Sequence, residues 1–379
     1  MSLIEELDKA RLQVHTDSYS MSIGEMVNLY KDEELQIHPE FQRLYRWTEA
    51  QKSKLIESIL LGIPLPSFFI AQRSDGIWEV VDGLQRLSTI FSFMGELKDE
   101  TGKVLDPLKL TATSYLPSLG GRVWESGEEG QEVIPIEIKR LFKREKLDIK
   151  IIKRESEGDT KFELFQRLNT GGTKLSEQEV RNCLLLMINR EAFTWVQDIV
   201  QETKDFSESL PLTTKQKEES YDYELVLRFI VQRHCSQEVL NRHSDVGPYL
   251  DEEQARLFSE EKPILNFEHE KKLFQQTFRL MNLALEDNSF KKFNHIKGRH
   301  EGAFSTPVYE AMTTGLSKYL EKNEGFIESD LIDKVKEISE RLTVNDVFCN
   351  VMATKARPLN RMSQMIVLGE ELFNEDTVS

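Results

Sequence analysis

An acidic residue, a glycine and an arginine lie close together in residues 80–87, whose sequence is VVDGLQRL. The apolar run before Asp82 is typical of a strand, and the apolar spacing after Gly83 is typical of a helix. A helix that begins there directs backbone N–H groups and its positive dipole end at one point, where Arg86 adds a charge. This arrangement favours an anion such as a phosphate. An Asp-Gly pair is also an ordinary turn signal, and both interpretations stay open at this stage.

Arginines and aromatic residues are crowded into residues 37–47, whose sequence is IHPEFQRLYRW. Pro39 favours an extended backbone around it, and no helical or strand period explains the spacing. Gln42 and Arg43 could hold a phosphate, and the ring of Trp47 could stack on a base. The alternative is a surface loop whose rings cover the core and whose arginines cover the rings.

A third polar segment, NTGGT at residues 169–173, follows the helical pattern of residues 159–168. Asn169, Gly171 and Gly172 are typical of a left-handed helix stop, and they also let backbone amides approach a ligand closely. Ser176 with Glu179 then forms a capping box, which predicts that a second helix begins there.

The composition fits a water-exposed protein with a substantial core. The chain has 379 residues, 39% of them hydrophobic, and a formal net charge of −16. No apolar run of about eighteen residues exists to span a membrane, and the N-terminus lacks the plan of a signal peptide. The three cysteines are far apart, which argues against zinc clusters and disulfides and predicts a cytoplasmic protein.

The elements that position the candidate residues change character along the chain. Residues 67–71 and 77–81 are predicted to form a hairpin, residues 98–135 a loop-rich insertion, and residues 147–151 a strand. The most basic stretch, residues 139–154, indicates either a solvated strand edge protected by lysines or the rim of a nucleic-acid or nucleotide groove. From about residue 193 the pattern is nearly all helical and strand signals disappear. The predicted class is α+β, with a mixed domain at residues 1–195 and a helical domain at residues 196–379.

Several common active sites are absent from the sequence. No Gly-x-x-x-x-Gly-Lys-Ser/Thr loop of a P-loop NTPase occurs, and no Gly-x-Ser-x-Gly elbow occurs. His295 and His300 have poor spacing for a metal on a helix, and the residues between them indicate a basic loop instead.

Taken in order, residues 38–47, 81–87 and 165–172, with QEVRN at residues 178–182, resemble the N-terminal domain family of the GmrSD type IV restriction endonucleases. This family is a branch of the ParB/sulfiredoxin-like superfamily, and the resemblance covers roughly residues 20–200. It implies a small mixed sheet with helices, in which the Asp-Gly-x-Gln-Arg turn binds nucleotide phosphates. The family pattern commonly has glutamine at the position of Leu84.

The resemblance implies a role for each matching residue. Asp82 and Arg86 are the expected catalytic residues, and Asp82 is also the expected magnesium ligand. The expected nucleotide-binding residues are Gln42, Arg43, Trp47, Gly83, Gln85, Asn169, Gly171 and Gly172. The alternative role for Asp82 is structural, as an ion-pair partner of Arg43 or Arg86.

Three functions follow as hypotheses. The first is a protein that binds and hydrolyses a nucleoside triphosphate with magnesium and acts in restriction of, or defence against, foreign modified DNA. The second is a non-catalytic ligand sensor or adaptor whose helical lobe binds a partner protein or DNA. The third is a nuclease that cuts DNA by itself, which the acidic composition and the lack of a nuclease motif disfavour. Self-association into a homo-oligomer stays open, and no membrane partner is expected.

Overall fold

The computed structural model describes residues 16–37, 47–73, 75–99, 101–126, 130–153, 176–259, 264–323, 325–354 and 357–375. Within these ranges it describes the backbone alone for Val81, Asp82, Cys183, Met187, Glu218 and Gln237. The chain divides into two compact units, Met1–Lys174 and Leu175–Ser379. The helix that follows Ser176 therefore groups with the C-terminal unit, whereas the sequence places it before a domain boundary at residues 195/196.

The described part of the N-terminal unit contains a five-stranded sheet and four α-helices. In chain order the elements are β1 (Thr16–Ser22), α1 (Ile23–Lys31), β2 (Leu35–Gln36), α2 (Glu49–Leu60), β3 (Phe68–Gln72), β4 (Trp78–Asp82), α3 (Leu84–Met94), a 3₁₀ turn (Pro117–Leu119), α4 (Ile136–Arg144) and β5 (Lys146–Ile152). The strand order is β1-β5-β3-β4-β2. The β1/β5 and β3/β4 pairs are antiparallel, and the β5/β3 and β4/β2 pairs are parallel.

Local sequence signals account for the ends of these elements. Ser22 accepts a hydrogen bond from the Glu25 amide and begins α1. Thr48 and Gln51 form a capping box at the start of α2, in which each side chain bonds to the other's backbone N–H. The predicted strands at 67–71, 77–81 and 147–151 are confirmed as β3, β4 and β5, each within one residue of its predicted start and end.

Strand β5 lies inside the sheet, between β1 and β3. The interpretation of residues 139–154 as a lysine-protected sheet edge is therefore wrong, because residues 149–152 of β5 are paired with β1 on one side and with β3 on the other. The lysines of this segment do not serve to block edge-to-edge pairing of β5.

Helix α3 closes the core of this unit. Its predicted apolar face, Leu87, Ile90, Phe91 and Met94, is buried. The ring of Phe91 stacks on Tyr30 of α1 with 4.5 Å between centroids. The start of α3 is thereby held against the sheet by its own buried face.

The C-terminal unit is mostly helical, as predicted. Its elements are α5 (Glu177–Ile188), α6 (Arg190–Glu202), α7 (Lys204–Ser209), α8 (Thr214–Glu218), α9 (Tyr221–Arg233), α10 (Gln237–Leu240), α11 (Val246–Leu257), α12 (Phe267–Leu285), a 3₁₀ turn (Glu286–Asn288), β6 (Lys292–Asn294), β7 (Arg299–Glu301), α13 (Thr306–Lys322), α14 (Glu328–Leu342), α15 (Asp346–Ala353) and α16 (Pro358–Asn374). The expected absence of strands after residue 193 is wrong at the β6–β7 hairpin, whose turn includes the residues predicted to form a basic loop.

Two glycines let the backbones of α13 and α16 touch. A Cβ added at Gly369 would overlap the Ala311 carbonyl, and one at Gly315 would lie 2.5 Å from Phe373 Cδ2. In the part of the chain that the structure describes, no helix is both long and apolar enough for a membrane span.

Candidate functional site

The candidate turn is built where β4 ends and α3 begins. Strand β4 ends at Asp82, Gly83 takes the left-handed conformation with φ = 96°, and α3 starts at Leu84. The pairing of Phe69 with Asp82 is followed by a register shift, an irregularity in the β3/β4 ladder right beside the turn. Gly83 has no side chain to cap the first turn of α3, so the N-terminal end of this helix receives no side-chain cap from it.

The glycine at this turn has a structural cause. A Cβ at Gly83 would overlap the ring of Phe68, a fully buried residue of β3, and would lie 3.2 Å from Arg86 Nη2. The positive φ adds a separate cost for any L-residue with a side chain. Both the sharp turn and the close packing of Phe68 therefore require glycine here.

Arg86 turns back towards the start of β3. Its guanidinium donates to the Pro66 carbonyl through Nη1 and to the Ser67 carbonyl through Nη2, the second bond at 3.3 Å. Its Cζ also lies 4.4 Å from the centroid of the Phe68 ring. These contacts hold the connector before β3 in place. This structural role of Arg86 was not predicted from the sequence. Pro64 and Pro66 were the available signal, because a proline-rich connector has carbonyls but few N–H groups to pair them.

The other two residues of the turn face different surroundings. Leu84 is only 9% exposed and belongs to the core, so this departure from the family pattern places an apolar side chain on the buried side. Gln85 is half-buried, and its carbonyl accepts a 2.7 Å hydrogen bond from the Thr89 hydroxyl.

The structure brings together only part of the predicted site. Gly83, Gln85 and Arg86 share the first turn of α3, and Trp47 is half-buried directly before the N-cap of α2, a helix that packs on α3. The structure does not describe the side chain of Asp82. It also does not describe the remaining predicted residues, Gln42, Arg43, Asn169, Gly171 and Gly172.

The described groups fit a phosphate. A helix N-terminus whose N-cap residue has no side chain and a guanidinium at the same turn are the donor types that bind phosphate oxygens. A magnesium ion would need oxygen ligands, and the carboxylate predicted for that role, on Asp82, is not described. Within the described ranges, no three His, Cys, Asp or Glu side chains come together as a metal site.

The QEVRN segment proves to be structural. Arg181 is 2% exposed, and its Nε donates to Asp251 at 2.8 Å while its Nη1 lies 3.4 Å from Glu224. The amide of Gln178 donates to Asn182 at 2.8 Å. These buried polar contacts connect α5 to α9 and α11 within the C-terminal unit.

Two carboxylates deep in the C-terminal unit have shifted acidities. Burial raises the pKa of Glu310 to about 7 despite its 2.9 Å ion pair with Arg228. Burial also acts to raise the pKa of Glu270, but hydrogen bonds from His234 and Arg233, together with their charges, lower it to about 2. Each carboxylate has a cationic partner, so the pairs cross-link helices and need no catalytic explanation.

A cleft of about 610 Å³ opens beside the β6–β7 hairpin, lined by Leu285, Arg299, His300 and Glu340 among others. His300 is half-buried, its Nε2 lies 3.1 Å from the Ser339 hydroxyl, and burial lowers its pKa. This cleft could not be predicted from the sequence, because its lining comes from segments far apart in the chain.

Comparison with known proteins adds one match. Residues 23–186 match the family described as GmrSD restriction endonuclease, N-terminal domain. No curated protein and no solved structure matches the chain, so the ParB/sulfiredoxin-like superfamily stays a prediction. The matched segment contains the Asp82–Arg86 turn and extends into α5. The predicted resemblance is thus confirmed over residues 23–186, which match the GmrSD restriction endonuclease N-terminal domain family.

Proposed function

We propose that this protein acts in GmrSD-type restriction of foreign DNA and that its N-terminal unit binds a nucleoside triphosphate with magnesium at the Asp82–Arg86 turn. The observation that carries the proposal is the family match over residues 23–186. The first turn of α3, whose N-cap Gly83 has no side chain, and the Arg86 guanidinium beside it support the position of the phosphates. The widely separated cysteines support a cytoplasmic location.

The proposed roles follow from the chemistry of each group. The backbone amides at the start of α3 and the Arg86 guanidinium would bind phosphate oxygens, and Trp47 would stack on the base. The pocket would be completed by Gly83 and Gln85 and by the predicted residues Gln42, Arg43, Asn169, Gly171 and Gly172. Asp82 would hold magnesium, which when bound neutralises charge on the phosphates, or would orient a water for hydrolysis.

The test measures the change in melting temperature of the whole chain on addition of each of the four NTPs with magnesium. Ligand at a hundred times its Kd stabilises the folded state by about 2.7 kcal/mol, which is easily measured. We expect Arg86→Ala to abolish the nucleotide-dependent shift. Because Arg86 also supports the Pro66–Ser67 connector, this variant should melt earlier without nucleotide, so only the difference between bound and free protein is compared.

Arg73→Ala is the matched control. Arg73 is an exposed arginine just past the opposite end of β3, where it pairs with Asp75 and Glu79, and five residue steps along the strand place it about 16 Å from Phe68. It should keep the full nucleotide shift. The absence of a shift with all four NTPs in the wild type would contradict the proposal, and binding without turnover would favour the sensor hypothesis.

A further inference from the structure

Four exposed cations lie close together at the end of α4 and the start of β5. They are Arg140, Lys143, Arg144 and Lys146, hereafter the basic patch. On the helix, residues three and four apart are neighbours with about 5–6 Å between their Cβ atoms, so the first three share one face. The chain as a whole carries a net charge of −16, so this concentration of positive charge is a local feature.

The basic patch is not neutralised by its surroundings. Among the described residues, no carboxylate lies within ion-pair distance of any of the four, whereas the neighbouring Lys139 pairs with Glu125 at 3.4 Å. Lys143 packs over Trp124, with its Nζ 5.8 Å from the ring centroid, which places the aliphatic stem on the core and leaves the ammonium in water. Acidic residues do occur nearby at Glu137, Glu145 and Asp148, but none pairs with the patch.

Structural roles explain only half of these charges. Lys143 and Arg144 lie in the last turn of α4, where cations stabilise the helix dipole by about 0.3–1 kcal/mol. Arg140 lies a full turn earlier, and Lys146 lies on a strand. Lys146 pairs with Ser22 of β1, and β5 as a whole is an interior strand of the sheet.

The shape of α4 disfavours an anionic membrane as the partner. A helix that lies in a membrane interface needs a continuous apolar face. The exposed apolar residues of α4 are Ile136 (53% exposed) and Leu141 (45% exposed), which are five positions apart and so point about 140° away from each other. The remaining large apolar residues of the last two turns are Phe142, which is buried in the core, and Ile138, which is half-buried.

We infer that the basic patch binds the phosphate backbone of duplex DNA. The inference rests on the proposed function in so far as that function acts on DNA, but the patch is separate from the nucleotide turn. Backbone contacts of this kind position a protein on DNA and carry no sequence information. Each phosphate neutralised by a cation releases counterions, so the affinity falls steeply with salt.

The test is the salt dependence of binding to a fluorescein-labelled DNA duplex of about 30 base pairs, measured by anisotropy with the full chain. Each lost phosphate contact reduces the slope of log K against log salt by about 0.9. The double variant Arg140→Ala/Arg144→Ala should therefore reduce the slope by about two. The variant Arg140→Lys/Arg144→Lys should keep most of it, because the charge is retained.

Lys103→Ala/Lys109→Ala removes two exposed cations elsewhere in the same unit and should leave the slope unchanged. Unchanged circular dichroism would show that each variant is folded. The inference would be overturned if the wild type failed to bind the duplex, or if the double alanine variant kept the wild-type salt slope. It would also be overturned by patch-dependent binding to phosphatidylserine vesicles without DNA binding. A normal NTP-induced melting shift in the same samples would show that the nucleotide proposal stands even then.

Discussion

At the scale of single residues, Gly83 and Arg86 are fixed by one neighbour, the ring of Phe68. Gly83 passes so close to that ring that no Cβ fits, and Arg86 lies over it while bonding to the preceding carbonyls. These contacts explain both residues structurally. They also hold the start of α3 and the guanidinium in a fixed position, which is what a phosphate site requires.

The first prediction concerns the loss of stability when a side chain is placed at Gly83, against the ring of Phe68. Gly83→Ala should lower the free energy of unfolding by about 2–4 kcal/mol, since it combines a positive φ with overpacking against Phe68. Gly76→Ala is the control, because Gly76 has a similar φ of 92° but open space around it, and it should cost about 1 kcal/mol. Urea unfolding followed by tryptophan fluorescence measures both. If both variants lost the same free energy of unfolding, the close packing of Gly83 against Phe68 would contribute nothing to the cost.

At the scale of elements, the sequence predicted what depends on local signals. The capping boxes at Thr48 and Ser176 set the starts of α2 and α5, and the Asp-Gly turn separates β4 from α3. Helix α4 was missed because it is only nine residues long and Phe142 is its one fully buried residue, so its amphipathic pattern is too short to stand out from the basic stretch. The β6–β7 hairpin was missed because three-residue strands are too short to show alternation.

The contact between α13 and α16 could not be predicted, because two glycines inside helical patterns reveal nothing about which helices they join. Gly369→Ala raises helix propensity by about 1 kcal/mol, yet it should destabilise the protein by about 2 kcal/mol or more, since the new methyl group overlaps the Ala311 carbonyl. Val367→Ala on the same helix, at a position 51% exposed, should change stability by about 0.5 kcal/mol or less. Thermal unfolding compares the two. A stabilised Gly369→Ala protein would refute the close crossing.

At the scale of the whole molecule, charge is distributed unevenly. The C-terminal unit buries arginines in carboxylate pairs, with Arg233 2.9 Å from Glu270 and Arg228 2.9 Å from Glu310. Those partners come from helices far apart in sequence, so their pairing was not predictable. The order of the motifs was enough to predict the family, whereas the structural contacts of Arg86 depend on the fold.

The pairing of Glu270 predicts how stability depends on pH. Its pKa is about 2 in the folded protein and 4.5 when unperturbed, so it stabilises the folded state above pH 4.5 by about 3 kcal/mol. This contribution should be lost as pH falls from 4.5 to 2. Glu310, whose raised pKa favours the folded state at low pH, is already protonated in both states below pH 4.5 and adds no slope there.

Urea midpoints measured by far-UV circular dichroism from pH 5 to pH 2 test this prediction. Glu270→Gln should unfold more easily at neutral pH, since it leaves Arg233 buried with a neutral partner, and should lose less stability on acidification. Glu268→Gln, an exposed position on the same helix, should keep the wild-type profile. If Glu270→Gln loses as much stability between pH 5 and pH 2 as the wild type does, the pH dependence comes from other groups.

Hydrogen exchange of the whole chain, with and without each NTP and magnesium, tests the nucleotide site most directly. If phosphates bind at the start of α3, the amides of residues 83–87 should exchange more slowly when nucleotide is present, and those of residues 72–77 at the far hairpin end should not change. Protection confined to the C-terminal unit, or no protection with any of the four nucleotides, would contradict the account.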